Sequence, residues 1–250
     1  MATPLGHPIL RGDFHVHSTF SDDARSTLTE NVAAAHAAGL QAVRLVDHVR
    51  ASTPWVPEYL AAVRALEVPA GLTVLTGVEA KILDASGALD VPPLPAGIDR
   101  ILMADHQFPT ADGPLGPTAV RERIAAGWGA ADVLDTLIGA TIAAMETHPG
   151  NQLAHCFSIL PKVGLSEADL TDEHLGAWAA AAAASDTQVE VNEKWGCPDQ
   201  RSLVALKAAG ATIVASTDSH DAADVGRYAR VRDLLSAAAV AEHAGKPGAK

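Results

Sequence analysis

The chain has 250 residues, enough for one large α/β domain with a substantial core, and no Gly-, Ser- or charge-rich stretch divides it. Its 30 acidic residues against 18 basic ones leave a formal charge of −12, which excludes a general binder of long nucleic acid, because phosphate backbones need a basic surface. Cys156 and Cys197 make neither a disulfide framework nor a CxxC pair, and no basic stretch leads into an apolar run at the N-terminus; with no apolar segment of bilayer length, the expectation is a soluble cytoplasmic protein with no membrane partner.

In chain order, strands and helices alternate. Phe14 to His17 reads as a strand, and Thr29 to Ala38 as a helix stopped by Gly39. A β-branched apolar run, Ala42 to Asp47, precedes a helix from about Pro57 to Glu67. Thr73 to Glu79 and Ile98 to Ala104 are the third and fourth strands, separated by the irregular Val91-Pro92-Pro93-Leu94-Pro95. A long helix from Ala130 to Glu146 leads to a short strand, Gln152 to Ala154. The helix Asp172 to Ala184, the strand Gln188 to Asn192, the helix Pro198 to Ala209 and the strand Ala211 to Ser216 complete the pattern. Nearly continuous apolar strands alternating with helices imply a parallel sheet covered on its faces. Seven such units favour a closed or nearly closed barrel, and the lack of a Gly-rich loop after the first strand weakens a dinucleotide-binding fold.

Acids and histidines collect where these strands end: Asp13-Phe14-His15-Val16-His17-Ser18, Asp47-His48, Gly77-Val78-Glu79, Asp105-His106, His155 and Asp218-Ser219-His220. In an α/β barrel the chemistry sits on the loops after the strands. Side chains alternate along a strand, so His15 and His17 project to one face and can close on one cation. Glu79 is costly to bury at the end of an apolar strand unless it is paired or bound to a cation. The set reads as a multinuclear metal site.

These separated motifs resemble those of the polymerase-and-histidinol-phosphatase (PHP) domain of metal-dependent phosphoesterases, along almost the whole chain. The resemblance implies a distorted (β/α)7 barrel, residues 1–250 as a single domain of that type, and three divalent ions. One ion would be held by His15, His17, Glu79 and Asp218. A second would share Glu79 as a bridge and add His106 and His155, and a third would take Asp23, His48 and His220. Asp23 stands where many relatives have a histidine, and Asp22 is its neighbouring alternative. His155 is preferred over His148 because it follows a strand, whereas His148 ends a long helix where histidine commonly caps carbonyls. Glu190-Val191-Asn192 resembles the family's polar strand end.

Imidazole with carboxylate suits Zn, Fe or Mn. Clustered divalent ions acidify bound water and stabilise charge on the attacked and leaving oxygens, which phosphate-ester hydrolysis requires. Glu79, Asp218 and His220 are the expected catalytic residues. Lys162, Lys194 and Arg227 are candidate phosphate binders, and Asp13 and Asp47 candidate partners that fix histidine tautomers. The expected reaction is hydrolysis of a small phosphate monoester, histidinol phosphate being the first named substrate. A nucleotide phosphatase, a short-oligonucleotide exonuclease and a non-catalytic metal-stabilised module remain the alternatives.

Overall fold

In the computed structural model, which describes residues 7–244 and their side chains as far as residue 239, the apolar runs fold into β1 (Gly12–Val16), β2 (Ala42–Val49), β3 (Thr73–Lys81), β4 (Arg100–Ala104), β5 (Phe108–Thr110), β6 (Gly113–Leu115), β7 (Gln152–Ala154), β8 (Gln188–Asn192) and β9 (Thr212–Ser216). Seven of them form one parallel sheet in the order β1-β2-β3-β4-β7-β8-β9. β5 and β6 make a separate antiparallel hairpin. The sheet curls into a nearly closed barrel. Its first and last strands lie side by side, and among the described residues their backbone hydrogen bonds are confined to the C-terminal side, where His17 N donates to Ser219 O (2.8 Å) and Ser219 N to His15 O (3.3 Å).

The helices α1 (Leu28–Ala37), α2 (Val56–Arg64), α3 (Pro117–Ala125), α4 (Ala130–Thr147), α5 (Leu160–Val163), α6 (Asp172–Ala184), α7 (Gln200–Ala209) and α8 (Arg230–Ala244) cover the outside. Local chemistry sets their ends. Thr27 and Glu30 form a capping box on α1, Asp199 caps α7, and Gly210 stops α7 at φ +74°, a conformation that favours glycine. Leu137, Met145, Trp178, Leu203 and Val231 belong to the larger core under α4, α6, α7 and α8. Val32, Leu45 and Tyr59 belong to the smaller one under α1 and α2.

The barrel interior is partly polar. Arg44, Gln152 and Glu190 are buried in it, and Arg44 Nη1 donates to Gln152 Oε1 and to Gln188 Oε1 (3.1 Å). Gln152 Nε2 passes the connection on to Glu190 Oε2 (2.8 Å).

The expected barrel is the observed one, with shifted boundaries: β4 starts at Arg100 instead of Ile98, and α2 stops at Arg64 instead of Glu67. The β5–β6 hairpin and helices α3, α5 and α8 had no counterpart in the expected pattern. Proline conceals the hairpin, since Pro109 and Pro114 pair across it on a ribbon outside the barrel, where no sheet interior is interrupted.

Candidate metal centre

Strand register brings the acidic and imidazole endings to one rim. His48 pairs with Glu79, Lys81 with Ala104, and Ala104 with Ala154, so His106 and His155 leave their strands at the same height. Asn192 pairs with Ser216, which sets Asp218 and His220 beyond the last strand. His155 and Asp218 sit at φ +26° and +52°. Such a conformation costs a non-glycine residue of order 1–3 kcal/mol, and persists where the surroundings over-determine it.

Glu79 is the hub. Its Oε2 lies 3.4 Å from both His15 Nε2 and His17 Nε2, and 2.8 Å from His48 Nδ1. Its Oε1 lies 2.8 Å from His155 Nε2 and 3.1 Å from His106 Nε2. Asp218 Oδ1 lies 3.3 Å from His17 Nε2 and 3.9 Å from His15 Nε2. On the outer side, Asp23 Oδ2 is 3.2 Å from His220 Nε2 and 3.5 Å from His48 Nε2. His48 therefore stands between the hub and the outer group. These contacts open into a cavity of about 520 Å³, walled further by Asp22, Arg50, Lys81, Asp90, Gln107, Lys194 and Trp195.

Outer partners choose the ring tautomers. His15 Nδ1 faces Glu190 Oε2 at 3.1 Å, which leaves Nε2 with its lone pair toward Glu79. Ser21 Oγ donates to Asp47 Oδ1 (2.7 Å) and so accepts from His17 Nδ1 (3.4 Å). His155 Nδ1 faces Ser158 Oγ (3.2 Å) and Asp105 Oδ1 (3.4 Å), and His220 Nδ1 donates to Asp218 O (3.0 Å). The Nε2 atoms of His15 and His17 then confront each other at 2.9 Å. Two lone pairs at that distance repel unless a positive charge lies between or beside them.

The carboxylates demand that charge. Burial opposes a charge on His15, yet Glu190 and Glu79 outweigh it and hold the ring well above the usual imidazole range. Burial likewise works against His155, but Asp105 and Glu79 push it up to about 10. His17 goes the other way: burial draws it down to about 3, against its bond to Asp218. Burial alone would raise Glu79, but His106 and His15 hold it well below the usual carboxylate range.

A divalent cation satisfies all of these demands with neutral imidazoles. The donor set fits: imidazole nitrogen with carboxylate oxygen is borderline chemistry suited to Zn, Fe or Mn. Glu79 Oε2, fully buried, faces three imidazole nitrogens yet makes no well-aligned hydrogen bond with any of them, and a carboxylate oxygen left in that way is what a cation would take. Among the described residues, three groups of ligand atoms lie close enough to hold an ion: His15, His17 and Asp218; His48, Glu79 and His106; and His17, His48 and His220.

The other expected residues divide between this cavity and its neighbours. Lys194 reaches the cavity, its Nζ 3.4 Å from Asp218 Oδ2. Lys162 lies in a neighbouring cavity, its Nζ 3.9 Å from the centre of the Trp195 ring, and Arg227 lines a separate pocket beyond Lys194 and His220. Asp13 touches no imidazole, contrary to expectation: its carboxylate accepts from Thr217 N and Oγ1 and from Gly226 N, tying β1 to the last loop. Asp47 serves His17 through Ser21 instead of fixing His48. The direct partners are Glu190 for His15 and Asp105 for His155. Ser21 and Ser158, four and three residues past their histidines, were the legible signal for this shell. His148 caps α4 at the opposite end of β7, its carbonyl accepting from Asn151 Nδ2 (3.1 Å).

The model of the PHP domain matches residues 13–193. The chain belongs to the PHP domain family. Among its PHP relatives it is 26% identical over 241 residues to a probable phosphatase of Thermoanaerobacter sp. (strain X514), covering 92% of this chain and 87% of that one. It is 28% identical over 227 residues to a probable phosphatase of Acetivibrio thermocellus, covering 89% and 85%. Its PHP fold is similar to that of the histidinol phosphate phosphatase from Lactococcus lactis subsp. lactis, solved with Zn, L-histidinol and phosphate. The TM-score is 0.62 at 16% identity, over 92% of this chain and 93% of that one.

Proposed function

We propose that this PHP domain, a single domain over residues 1–250, is a metal-dependent phosphomonoesterase for a small soluble metabolite, with histidinol phosphate as the first substrate to test. The observation that carries the reading is Glu79: a fully buried carboxylate with one orphaned oxygen, facing His15, His17 and His48 on one side and His106 and His155 on the other. The names of the relatives support the reaction class, and the Lactococcus lactis structure supports zinc and the choice of first substrate.

His15, His17, Glu79 and Asp218 would hold one ion, Glu79, His106 and His155 a second, and Asp23, His48 and His220 a third. Bound there, such ions lower the pKa of water and neutralise phosphate oxygens. The chain's own groups do the rest. Glu79 divides its two oxygens between neighbouring clusters and fixes their spacing. Glu190, Asp105 and Ser21 hold the imidazoles in the tautomer that offers Nε2. The Lys194 ammonium, beside Asp218 and His220, puts a positive charge where a phosphate dianion must enter an acidic cavity. Arg50 and Lys81 line the cavity as well.

Among the described residues no hydroxyl or thiol side chain lines this cavity. Cys156 and Cys197 are buried, and burial pushes both thiols well above their usual range. With the buried carboxylates and imidazoles of the cavity assigned to the ions, the reaction we propose is direct attack of water on phosphorus without a phosphoenzyme: the P–O bond to the leaving group breaks, and the alcohol departs with a proton supplied by that water.

The test is a panel of phosphate monoesters assayed with Mn²⁺ or Zn²⁺, including histidinol phosphate and mononucleotides. Phosphate release from at least one small ester supports the reading, and no turnover of any ester overturns it.

A further inference from the structure

Trp195 is one of two large hydrophobic side chains exposed among the described residues, at 40%. An exposed indole in a chain with 4% aromatic residues invites a reason. Its ring is not loose. Trp195 N donates to Asn192 Oδ1 (3.0 Å), and the preceding residues are tied to α8. Glu193 accepts the backbone N–H groups of Ala229, Arg230 and Val231 at 3.0 Å each, and Arg230 Nη1 donates to Lys194 O (2.8 Å). Lys162 packs its ammonium over one face of the ring. Held in this way, the indole directs its single donor into the candidate metal centre: Nε1–H donates to Asp218 Oδ2 at 2.8 Å.

Asp218 needs such a restraint. The torsion that turns its carboxylate is broad and roughly two-fold, so either oxygen can swing inward. Its backbone already sits at positive φ, and its Oδ1 is the atom that faces His15 and His17. Lys194, its Nζ 3.4 Å from Oδ2 and its side chain 43% exposed, lies beyond normal hydrogen-bond length and offers a point charge instead of a directional donor.

We infer that Trp195 is a positioning residue for Asp218: its indole N–H pins Oδ2 so that Oδ1 stays turned toward the imidazoles. This rests on the reading that divalent ions bind at His15, His17, Glu79 and Asp218. Trp195 is a ring in a loop whose only signal lies in three dimensions, so nothing in its sequence context marked it.

The test compares Trp195→Phe, which keeps a ring over Lys162 but removes the donor, with the parent protein and with Trp128→Phe as a distant control. Zn²⁺ and Mn²⁺ affinity is measured by competition with a chromophoric chelator, alongside the melting temperature in excess chelator. Trp195→Phe is expected to weaken the tightest ion by about 10-fold, the lower end of what loss of an outer-shell partner costs. Its melting temperature in chelator should match the parent's, and added Mn²⁺ should restore kcat while KM changes less than twofold. Trp128→Phe should bind ions like the parent. An ion affinity within twofold of the parent overturns the inference, as does a loss of affinity matched by an equal loss of stability in chelator. If the parent itself binds no divalent ion, the metal reading fails and the inference with it.

Discussion

Glu190 and His15, 175 positions apart in the chain, meet fully buried inside the barrel with Oε2 3.1 Å from Nδ1. Glu190 is itself held from below, by Gln152 Nε2 at 2.8 Å, and at its other oxygen by His155 N (2.6 Å) and Asn192 Nδ2 (2.8 Å). One carboxylate thus orients a candidate ligand, braces the backbone of a second at its strained φ, and joins both to the buried Arg44 beneath.

Glu190→Gln should keep the shape of this network while removing its charge and letting His15 exchange tautomers. Ion affinity is expected to fall 10–100-fold, in line with the loss of an outer-shell carboxylate. Chelator competition measures it, and an unchanged affinity would show that the pair serves packing alone.

His155 and His148 separate the two histidine assignments. His155 Nε2 is 2.8 Å from Glu79, whereas His148 terminates α4 at the far end of β7. Phosphate release by His155→Ala should fall by more than the roughly 10–100-fold of an outer-shell loss, and that by His148→Ala should stay within twofold. The reverse order would relocate the site.

Removal of ions should lower stability. Ligands that converge only in the folded state make ion binding part of the folding free energy, worth about 2.7 kcal/mol at a free ion concentration 100 times Kd. For a domain of this size each kcal/mol shifts Tm by about 2–4 °C. A chelator is therefore expected to lower Tm by about 5–10 °C, reversibly on adding Mn²⁺ or Zn²⁺, as followed by differential scanning fluorimetry. An identical Tm with and without chelator would contradict this.

Stability should also carry a pH signature from Glu167, outside the cavity. Burial pushes this carboxyl up to about 7, against its bonds from Asp199 N and Ser202 Oγ. The folded chain keeps that proton while the unfolded chain has lost it, so the unfolded state gains as pH rises from about 4.5 to 7, and the effect levels off above. Glu167→Gln should remove this part of the decline. Melting curves between pH 5 and 8 check it, and equal slopes for both proteins would refute it.

The fold was legible because strand endings carry their chemistry locally. His15 near the end of β1 and His17 just past it lie two apart, Glu79 closes an apolar run, and Asp218 and His220 follow the last strand, all readable without knowing what faces what. The shell around them was only half legible. Glu190 stood out as a polar strand end, but its partner is fixed by how its side chain reaches from β8 through the barrel interior to His15, which no local pattern encodes. Asp13 misled for the same reason: its place two residues before His15 suggested a bond, yet its carboxylate is taken by Thr217 and Gly226, which the chain brings up from more than 200 residues away. Lys162 was read as a phosphate binder from its distance to His155 in sequence, whereas the turn at Phe157 (φ +74°) and the short α5 carry it behind Trp195.

The most direct measurement is the divalent metal content of the purified protein, by elemental mass spectrometry, for the parent and for Glu79→Gln. Two or three ions per parent chain and a loss of at least one in Glu79→Gln are expected, because Glu79 is the only carboxylate that touches both inner groups of imidazoles among the described residues. A parent chain that retains no ion even after loading with Zn²⁺ or Mn²⁺, or a variant that retains as many as the parent, would contradict a metal centre built on Glu79.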